Sequence, residues 1–443
     1  MDSTTIADRL RSSPLSRRAF LGALGLTALA GCSASVDAGG ARAQAVFRPG
    51  EYRGPQVRLE FWNPFTGGDG PAMGGIVDQF NAAHPRIRVV MTSLPADSLY
   101  TKVVPAVGAG EGPDVAIMHL DQLATFAARG TLVPLDEVAD GLELDGDDFV
   151  PAVWRNGVYD GRRLGIPLDV LTMGQYWNVP VLADAGVPGA IADGAEFGTT
   201  MAALQDAGIE HPFWVTPSWQ MFASLLPQFG GRLFDETGTR AEIASPAAVT
   251  ALEWMVEQIS SGVSPAGATD PRPPLKNGSA AVLADLPATI PDLTLTAPDL
   301  EWGVAPFPRI GPEPGVFANS HHLVLTDQSQ ADEDVAHAAQ TFVDWVSRHS
   351  EPWIASGNTP ARATVRAGEA FRSSPQAALA TEENFAAAVF LPQIPQSRVI
   401  AANSWQRAVG EAVLGGVDPT EALEFAQATA QEELDETNEL LQS

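Results

Sequence analysis

Between residues 57 and 62 the chain alternates, Val57-Arg58-Leu59-Glu60-Phe61-Trp62, and a two-residue period predicts a half-buried β-strand. The period then changes. Met73, Ile76, Val77 and Phe80 recur at helical spacing behind a glycine-rich turn, with Pro71 in the first turn of the helix. A second strand, Ile87 to Met91, is predicted after the breaker His84-Pro85, and a third, Asp114 to His119, after Gly112-Pro113. Strands separated by helices predict a parallel sheet, hence an α/β fold. Farther on, Ser245 is placed to cap a helix with Pro246 in its first turn; Val249, Leu252, Val256 and Ile259 form its apolar stripe, and Gly262 ends it. The last helix opens at Asp418-Pro419-Thr420-Glu421, a capping residue followed three positions on by Glu. The proline-rich stretches 265–274 and 305–314 are expected as loops or crossings, because proline has no N–H for a central strand.

Composition adds scale. With 443 residues, 45% of them hydrophobic, the chain can bury the cores of two domains of ordinary size. Residues 33–55 lack a sustained apolar period and contain Gly39-Gly40 and Pro49-Gly50, so they are expected as a flexible tether, with the folded part starting near Gln56. The formal net charge of −28 repels phosphate backbones and anionic headgroups, which argues against nucleic acid as a partner. Cys32 is the only cysteine, so no internal disulfide can form and stability must come from burial.

The N-terminal segment carries an address. Arg17-Arg18 followed by Phe20 and Leu21 resembles the twin-arginine export signal, and the uncharged run Ala19 to Ala30 is too short to span a bilayer. Leu29-Ala30-Gly31-Cys32 resembles the bacterial lipobox, in which the cysteine receives lipid and becomes the first residue of the mature chain. The resemblance implies that residues 1–31 are removed and that Cys32 anchors the protein to the bilayer, on the outer face of the cell membrane, through a tether spanning 32–55. Residues 1–31 hold four arginines and two aspartates, so their removal shifts the net charge from −28 to −30.

Along the rest of the chain the order of segments resembles the sugar-binding family of ABC-importer solute-binding proteins, the family of the maltodextrin receptor. The likeness runs through Leu59-Glu60-Phe61-Trp62, Ile76-Val77-Asp78-Gln79-Phe80-Asn81, Gly112-Pro113-Asp114-Val115, Gly130 to Asp136 and Tyr159 to Pro167. It continues through Tyr176-Trp177-Asn178, Gln228-Phe229-Gly230-Gly231, Asn277 to Ala281, Gly303 to Pro308 and Thr359-Pro360-Ala361-Arg362. The chain departs from the pattern at Asp193-Gly194-Ala195-Glu196-Phe197 and at Asp285-Leu286-Pro287, where a customary stacking aromatic is missing. The resemblance implies a two-lobed, periplasmic-binding-protein-like α/β fold of the class II type, each lobe a sheet flanked by helices and the lobes joined by crossing hinge strands. Lobe one would hold 56–168 and 320–360, lobe two 169–319 and 361–443. Solute would sit in the cleft and the lobes would close on it. The partners implied are a sugar or oligosaccharide and the permease subunits of an ABC importer; the protein is expected as a monomer without cofactor, metal or catalytic residues.

Sugar recognition needs flat apolar faces for the C–H side of a pyranose and planar polar groups for its hydroxyls. Trp62, Phe65 and Asp69 lie in or beside the glycine-rich loop after the first strand, and His119 and Asp121 follow the third. Asp169 stands at the first expected crossing, where a buried carboxylate must be paired or hydrogen-bonded. Trp214, Trp219 and Gln220 occupy a segment broken by Pro212 and Pro217, and Asp285 follows the strand Ala281 to Ala284. Asn319, Ser320 and His321 sit at the second crossing, Arg362 at the third, and Trp405 at the head of a late helix. Trp254 and Trp345 are expected in the core. A carbohydrate-active hydrolase would also use aromatics and carboxylates, but the chain has no Gly-x-Ser-x-Gly elbow, His-Glu-x-x-His, phosphate loop or Cys/His metal spacing. The four tyrosines, Tyr52, Tyr100, Tyr159 and Tyr176, are isolated. Polyols, glycerol phosphodiesters and peptides remain open as ligands.

Overall fold

The computed structural model describes residues 44–442 apart from Glu236, Ala268 and Thr269; residues 1–31, expected as an export signal, and Cys32 lie outside the described residues. Thirteen strands and two helices position the site. They are β1 (Val57–Asn63), α1 (Asp69–Ala83), β2 (Ile87–Ser93), β3 (Val115–His119), β4 (Ile166–Pro167), β5 (Asp169–Thr172), β6 (Gly174–Asn178), β7 (Phe213–Trp214), β8 (Val282–Asp285), β9 (Trp302–Pro306), β10 (Val316–Asn319), β11 (His321–Leu325), α2 (Glu333–Arg348), β12 (Thr359–Pro360) and β13 (Ala388–Val389).

The first lobe is built on a sheet of order β2-β1-β3-β11-β4, with β1 parallel to β2 and β3, and β11 antiparallel to β3 and β4. Alternation in β1 sends Val57, Leu59 and Phe61 to the face covered by α1 and α2, which contribute Met73, Ile76, Val77, Phe80 and Phe342. The Phe61, Phe80 and Phe342 rings meet edge to face at centroid distances of 4.9–5.0 Å. Strand β3 does not alternate, because both its faces are covered: Val115 and Ile117 join that core, while Ala116 and Met118 join a second one with Leu123 and Phe126. The second lobe has the sheet β9-β6-β8-β7. Its larger core gathers Met201, Phe213, Trp219, Phe222, Leu252, Met255, Trp405 and Val409; a smaller one on the other face holds Tyr176, Leu283, Leu293 and Val304.

Between the two lies a third sheet, β12-β5-β10-β13. Strand β4 ends the first sheet at Pro167, and two residues later β5 begins the third; β10 leaves the third at Asn319, and β11 enters the first at His321. The bond from Leu168 N–H to His321 O, 2.8 Å, ties the two passages together. The fold is two-lobed, with both lobes α/β.

Several local expectations are corrected. Residues 44–55, expected within a flexible tether, are pinned to the first lobe. Ala45 donates to Pro134 O, the Gln340 carboxamide accepts from Arg48 N–H and donates to Val46 O, the imidazole of His337 bonds Gly50 O, and Tyr52 is buried. Phe47 lies where a Cβ on Gly141 would be. Residues 361–366, expected in lobe two, pack on lobe one: Ala361 O accepts from Val150 N–H, and Arg362 and Thr364 both reach Asp148. The helix capped by Ser245 forms at Pro246–Ser260, yet it buries Ala248, Ala251, Leu252 and Met255, so alanines carry the packed face and Val249, Val256 and Ile259 lie on its shoulders. The 265–274 stretch runs into a short helix, Arg272–Asn277, started by prolines in its first turn. Pro306 closes strand β9, which is an edge strand and so tolerates it. Trp254 and Trp345, expected in the core, are half-buried.

Candidate functional site

Register shows where the two main sheets face the hinge. In the first lobe the parallel strands end at Asn63, Ser93 and His119, and His119 is paired with His321, the first residue after the crossing. In the second, β7 and β8 end at Trp214 and Asp285, and Asp285 is paired with Gly174, two residues after β5. Carboxyl ends of strands in both lobes therefore adjoin the hinge sheet, the place where open α/β sheets bind ligands.

At this place a network of buried polar groups joins the crossings. Asp169, fully buried, accepts from His321 N–H through Oδ1 (2.8 Å) and, through Oδ2, from His321 Nδ1 and Trp353 Nε1 (2.8 Å each). Its backbone carbonyl takes the Ser320 hydroxyl at 2.6 Å. The His321 ring contacts Phe65 at 5.0 Å and His119 at 4.6 Å between centroids. Burial alone would lower the His321 pKa, but the charge and hydrogen bond of Asp169, helped by Asp69 and Asp121, raise it above the ordinary imidazole value. His119 goes the other way: burial, the neighbouring His321 and Arg398 hold it well below that value. Its Nδ1 meets Tyr100 Oη at 2.5 Å, and its backbone N–H donates to the same oxygen.

Asp121, 3% exposed, binds through Oδ2 both Asn319 Nδ2 (2.7 Å) and Arg398 Nη1 (3.1 Å). Arg398 belongs to the segment leading into the second lobe's core at Ile400 and Ala401. Around it Gln393 Nε2 donates to Leu120 O and Gln396 N–H to Thr125 Oγ1, so this segment spans the lobes. Gln396 takes a left-handed φ of 67°, which lets its N–H turn toward Thr125.

Of the fifteen expected ligand contacts, the structure brings His119, Asp121, Asp169, Asn319, Ser320, His321 and Phe65 into this one cluster. Trp62, near the end of β1, and Asp69, at the head of α1, are both half-buried, with Asp69 Oδ1 accepting from Gly67 N–H. On the second lobe Trp214 and Asp285 end adjacent strands, but Asp285 is engaged: it accepts from Leu286 N–H and Thr289 Oγ1 and pairs with Arg272 at 3.4 Å. Burial raises its pKa.

Six expectations of direct contact are corrected, and a seventh residue, Gln220, lies outside the cluster. Phe65, Asp169 and Ser320 are sealed inside, with Asp169 and Ser320 fully partnered as described. Trp219 and Trp405, 5% and 0% exposed, pack with Phe317 and Phe234 in the second core. Arg362 turns away to Asp148 at 2.6 Å and Ser347 at 3.0 Å, over the Phe149 ring. Gln220, half-exposed, lies on the short helix Trp219–Leu225, its carbonyl accepting from Ser224. Tyr100, Trp353, Gln393 and Arg398 are the groups that sequence reasoning missed. Only Arg398 carried a signal, the lone charge in the otherwise uncharged stretch 384–406. Among the described residues no three His, Cys, Asp or Glu side chains converge as a metal site, and no helix is long and apolar enough to cross a membrane.

Comparison with known proteins agrees with this architecture. The chain is similar to the GacH receptor of Streptomyces glaucescens, known unliganded and with acarbose, at 21% identity and a TM-score of 0.75 over 85% of this chain and 98% of that one. It is similar to the sugar-binding protein MalE of Xanthomonas citri at 20% identity and a TM-score of 0.75, covering 87% and 100%. By sequence it is 23% identical over 277 residues to a protein of Brucella abortus (strain 2308) described as a binding protein, covering 60% of this chain and 66% of that one. It is 23% identical over 256 residues to the maltotriose-binding protein of Pyrococcus abyssi, covering 57% and 54%. The alignable part thus spans two thirds or less of these relatives' length. The family model described as bacterial extracellular solute-binding protein matches residues 66–351, and the chain belongs to that family.

Proposed function

We propose that this protein is an extracytoplasmic receptor that captures a sugar or oligosaccharide between its two lobes and delivers it to the permease subunits of an ABC importer. The observation that carries the reading is the internal pairing of charge where the sheet ends adjoin the hinge. Asp121 is balanced by Arg398, and Asp169 by His321. A site whose charges are already compensated favours a neutral, hydroxyl-rich solute over an ion. Maltotriose and acarbose, bound by relatives, are solutes of that kind. The same pairing disfavours hydrolysis, since the carboxylates nearest the hinge are held as hydrogen-bond acceptors and charge partners; no catalytic residue is assigned. Closure of the lobes would present a surface that the permease prefers, a shift requiring tighter ligand binding in the closed state. Cys32 would carry the lipid anchor, with the segment before residue 44 as the tether and the protein acting as a monomer.

Titration of the purified mature chain with maltose, maltotriose, tagatose and glycerophosphocholine, followed by heat and tryptophan fluorescence, tests the proposal. Saturable binding of a sugar supports it. Binding of glycerophosphocholine alone would keep the receptor and reject the sugar, and hydrolysis of maltotriose would reject the receptor.

A further inference from the structure

Two imidazoles stand together at the hinge with half of each ring unaccounted for. His119 uses Nδ1 on Tyr100, and His321 uses Nδ1 on Asp169; among the described residues no hydrogen bond reaches Nε2 of either ring. The centroids are 4.6 Å apart, and His119 is only partly buried. Nearby, Oδ1 of Asp121 is buried without a partner. Uncommitted polar atoms at this depth call for a ligand or ordered water.

The tautomers follow from the partners. Tyr100 Oη already accepts from His119 N–H, and its own proton has one acceptor within reach, the Nδ1 of His119. The hydroxyl therefore donates to Nδ1, and a neutral His119 must carry its proton on Nε2. Asp169 acts in the opposite sense: its carboxylate accepts from Nδ1–H of His321 and so keeps a proton there, and a cationic His321 carries a second on Nε2.

We infer that His119 and His321 form a paired imidazole donor subsite that grips neighbouring hydroxyls of one sugar ring through their two Nε2–H groups, with Tyr100 as the positioning residue that selects the His119 tautomer. The inference rests on the receptor reading above and names its polar recognition element. Charged and titratable groups face the pair from every side: Asp169 from β5, Asp69 from the head of α1, Asp121 after β3, Arg398 from the second lobe and Tyr100. With His321 charged, three carboxylates face two cations, so the donors suit hydroxyls rather than a further carboxylate, which would add an unpaired charge to a buried site. Neutral His119 and charged His321 coexist because their partners differ, a phenol in one case and a carboxylate in the other.

The test is a long-range nitrogen–proton spectrum of the histidine-labelled mature chain at about pH 6, below the ordinary imidazole pKa, free and with maltotriose, with binding read in parallel by heat. The free protein is expected to show His119 as neutral Nε2–H and His321 as the cation, and maltotriose to move both Nε2 signals. Tyr100→Phe is expected to give mixed His119 tautomers and about 3- to 10-fold weaker maltotriose binding, the loss of one hydrogen bond's worth of positioning. His119→Ala is expected to weaken maltotriose binding by about tenfold or more. A neutral Nδ1–H form of His119, or heat from maltotriose with both Nε2 signals unmoved, overturns the paired donors and leaves the receptor. Unmoved signals together with no heat from any sugar of the panel overturn both.

Discussion

At the scale of single residues, Asp169 does the most structural service. Its two oxygens hold the backbone and ring of His321 and the indole of Trp353, so the carboxylate fastens the two crossing strands to each other and to the segment before β12. Replacing it with alanine strands three buried donors at once. The expected loss is about 3–5 kcal/mol of stability, measured by denaturant unfolding, and a loss under about 1 kcal/mol would show that water replaces the carboxylate without cost. The histidines predict opposite pH limbs. His321 has a raised folded pKa, so its contribution is complete below the unfolded value of about 6.5 and fades as pH rises through the folded one. His322, fully buried, is pushed down to about 3 by burial, with Arg163 adding to it; the unfolded chain takes up that proton first, so stability falls as pH drops from about 6.5 toward about 3. Unfolding free energy measured across pH in the wild type and in His322→Phe is expected to show a shallower acid limb in the variant. An equal slope in both would assign acid sensitivity to other groups, His119 among them.

At the scale of elements, the N-terminal strap and the helix caps show how far local rules reach. Asp193 accepts from Ala195 and Glu196 N–H at the head of the helix Gly194–Asp206, and Ser245 from Ala248 N–H, both as short polar residues at helix starts should. The strap obeys no local rule. Residues 44–55 have no period of their own and are ordered by groups far along the chain, above all Gln340, which brackets Val46 and Arg48 much as a neighbouring strand would. Gln340→Ala is expected to release this segment: amide exchange at Arg48 should rise by about tenfold or more while the α2 amides stay protected. Unchanged exchange at Arg48 would mean that the burial of Ala45 and Tyr52, with the bonds from Ala45 N–H to Pro134 and between His337 and Gly50, holds the strap without Gln340. If lipid sits on Cys32, the strap makes lobe one the anchored lobe.

At the scale of the whole molecule, the segment 393–398 couples the lobes directly. Arg398 to Asp121, Gln393 to Leu120 and Gln396 to Thr125 all pass from a stretch rooted in the second core to the end of β3 in the first. Arg398→Ala is expected to leave Asp121 with Asn319 alone and to shift the free protein toward more open forms. The check is a radius of gyration from small-angle scattering that is larger than wild type without ligand and converges with it at saturating maltotriose. Equal radii in the free state would show that the hinge sheet, not the ion pair, sets the lobe angle.

Much of this architecture was legible in the chain itself. The alternation of β1, the helical spacing of Met73 to Phe80, the breakers before β2 and β3 and the caps of later helices are local signals, set by side-chain period and by the few residues that terminate a helix or strand. They determined the α/β class and the order of elements. His119, Asp121 and Asp285 could be marked because they follow predicted strands, with the family resemblance pointing to them as cleft residues, whereas Trp214 could be marked only within a proline-broken segment. What the tertiary structure decided was which atoms of those residues are free. Trp219 and Trp405 look alike in sequence to any exposed stacking ring, and only their packing against Phe317 and Phe234 makes them core. Asp169 is spent because His321 and Trp353, both more than 150 positions away, arrive at its two oxygens. Period and capping depend on neighbours a few residues apart, so one sequence displays them. Burial and hydrogen-bond partnership depend on which distant segments meet, and no local pattern encodes that Arg398 should find Asp121.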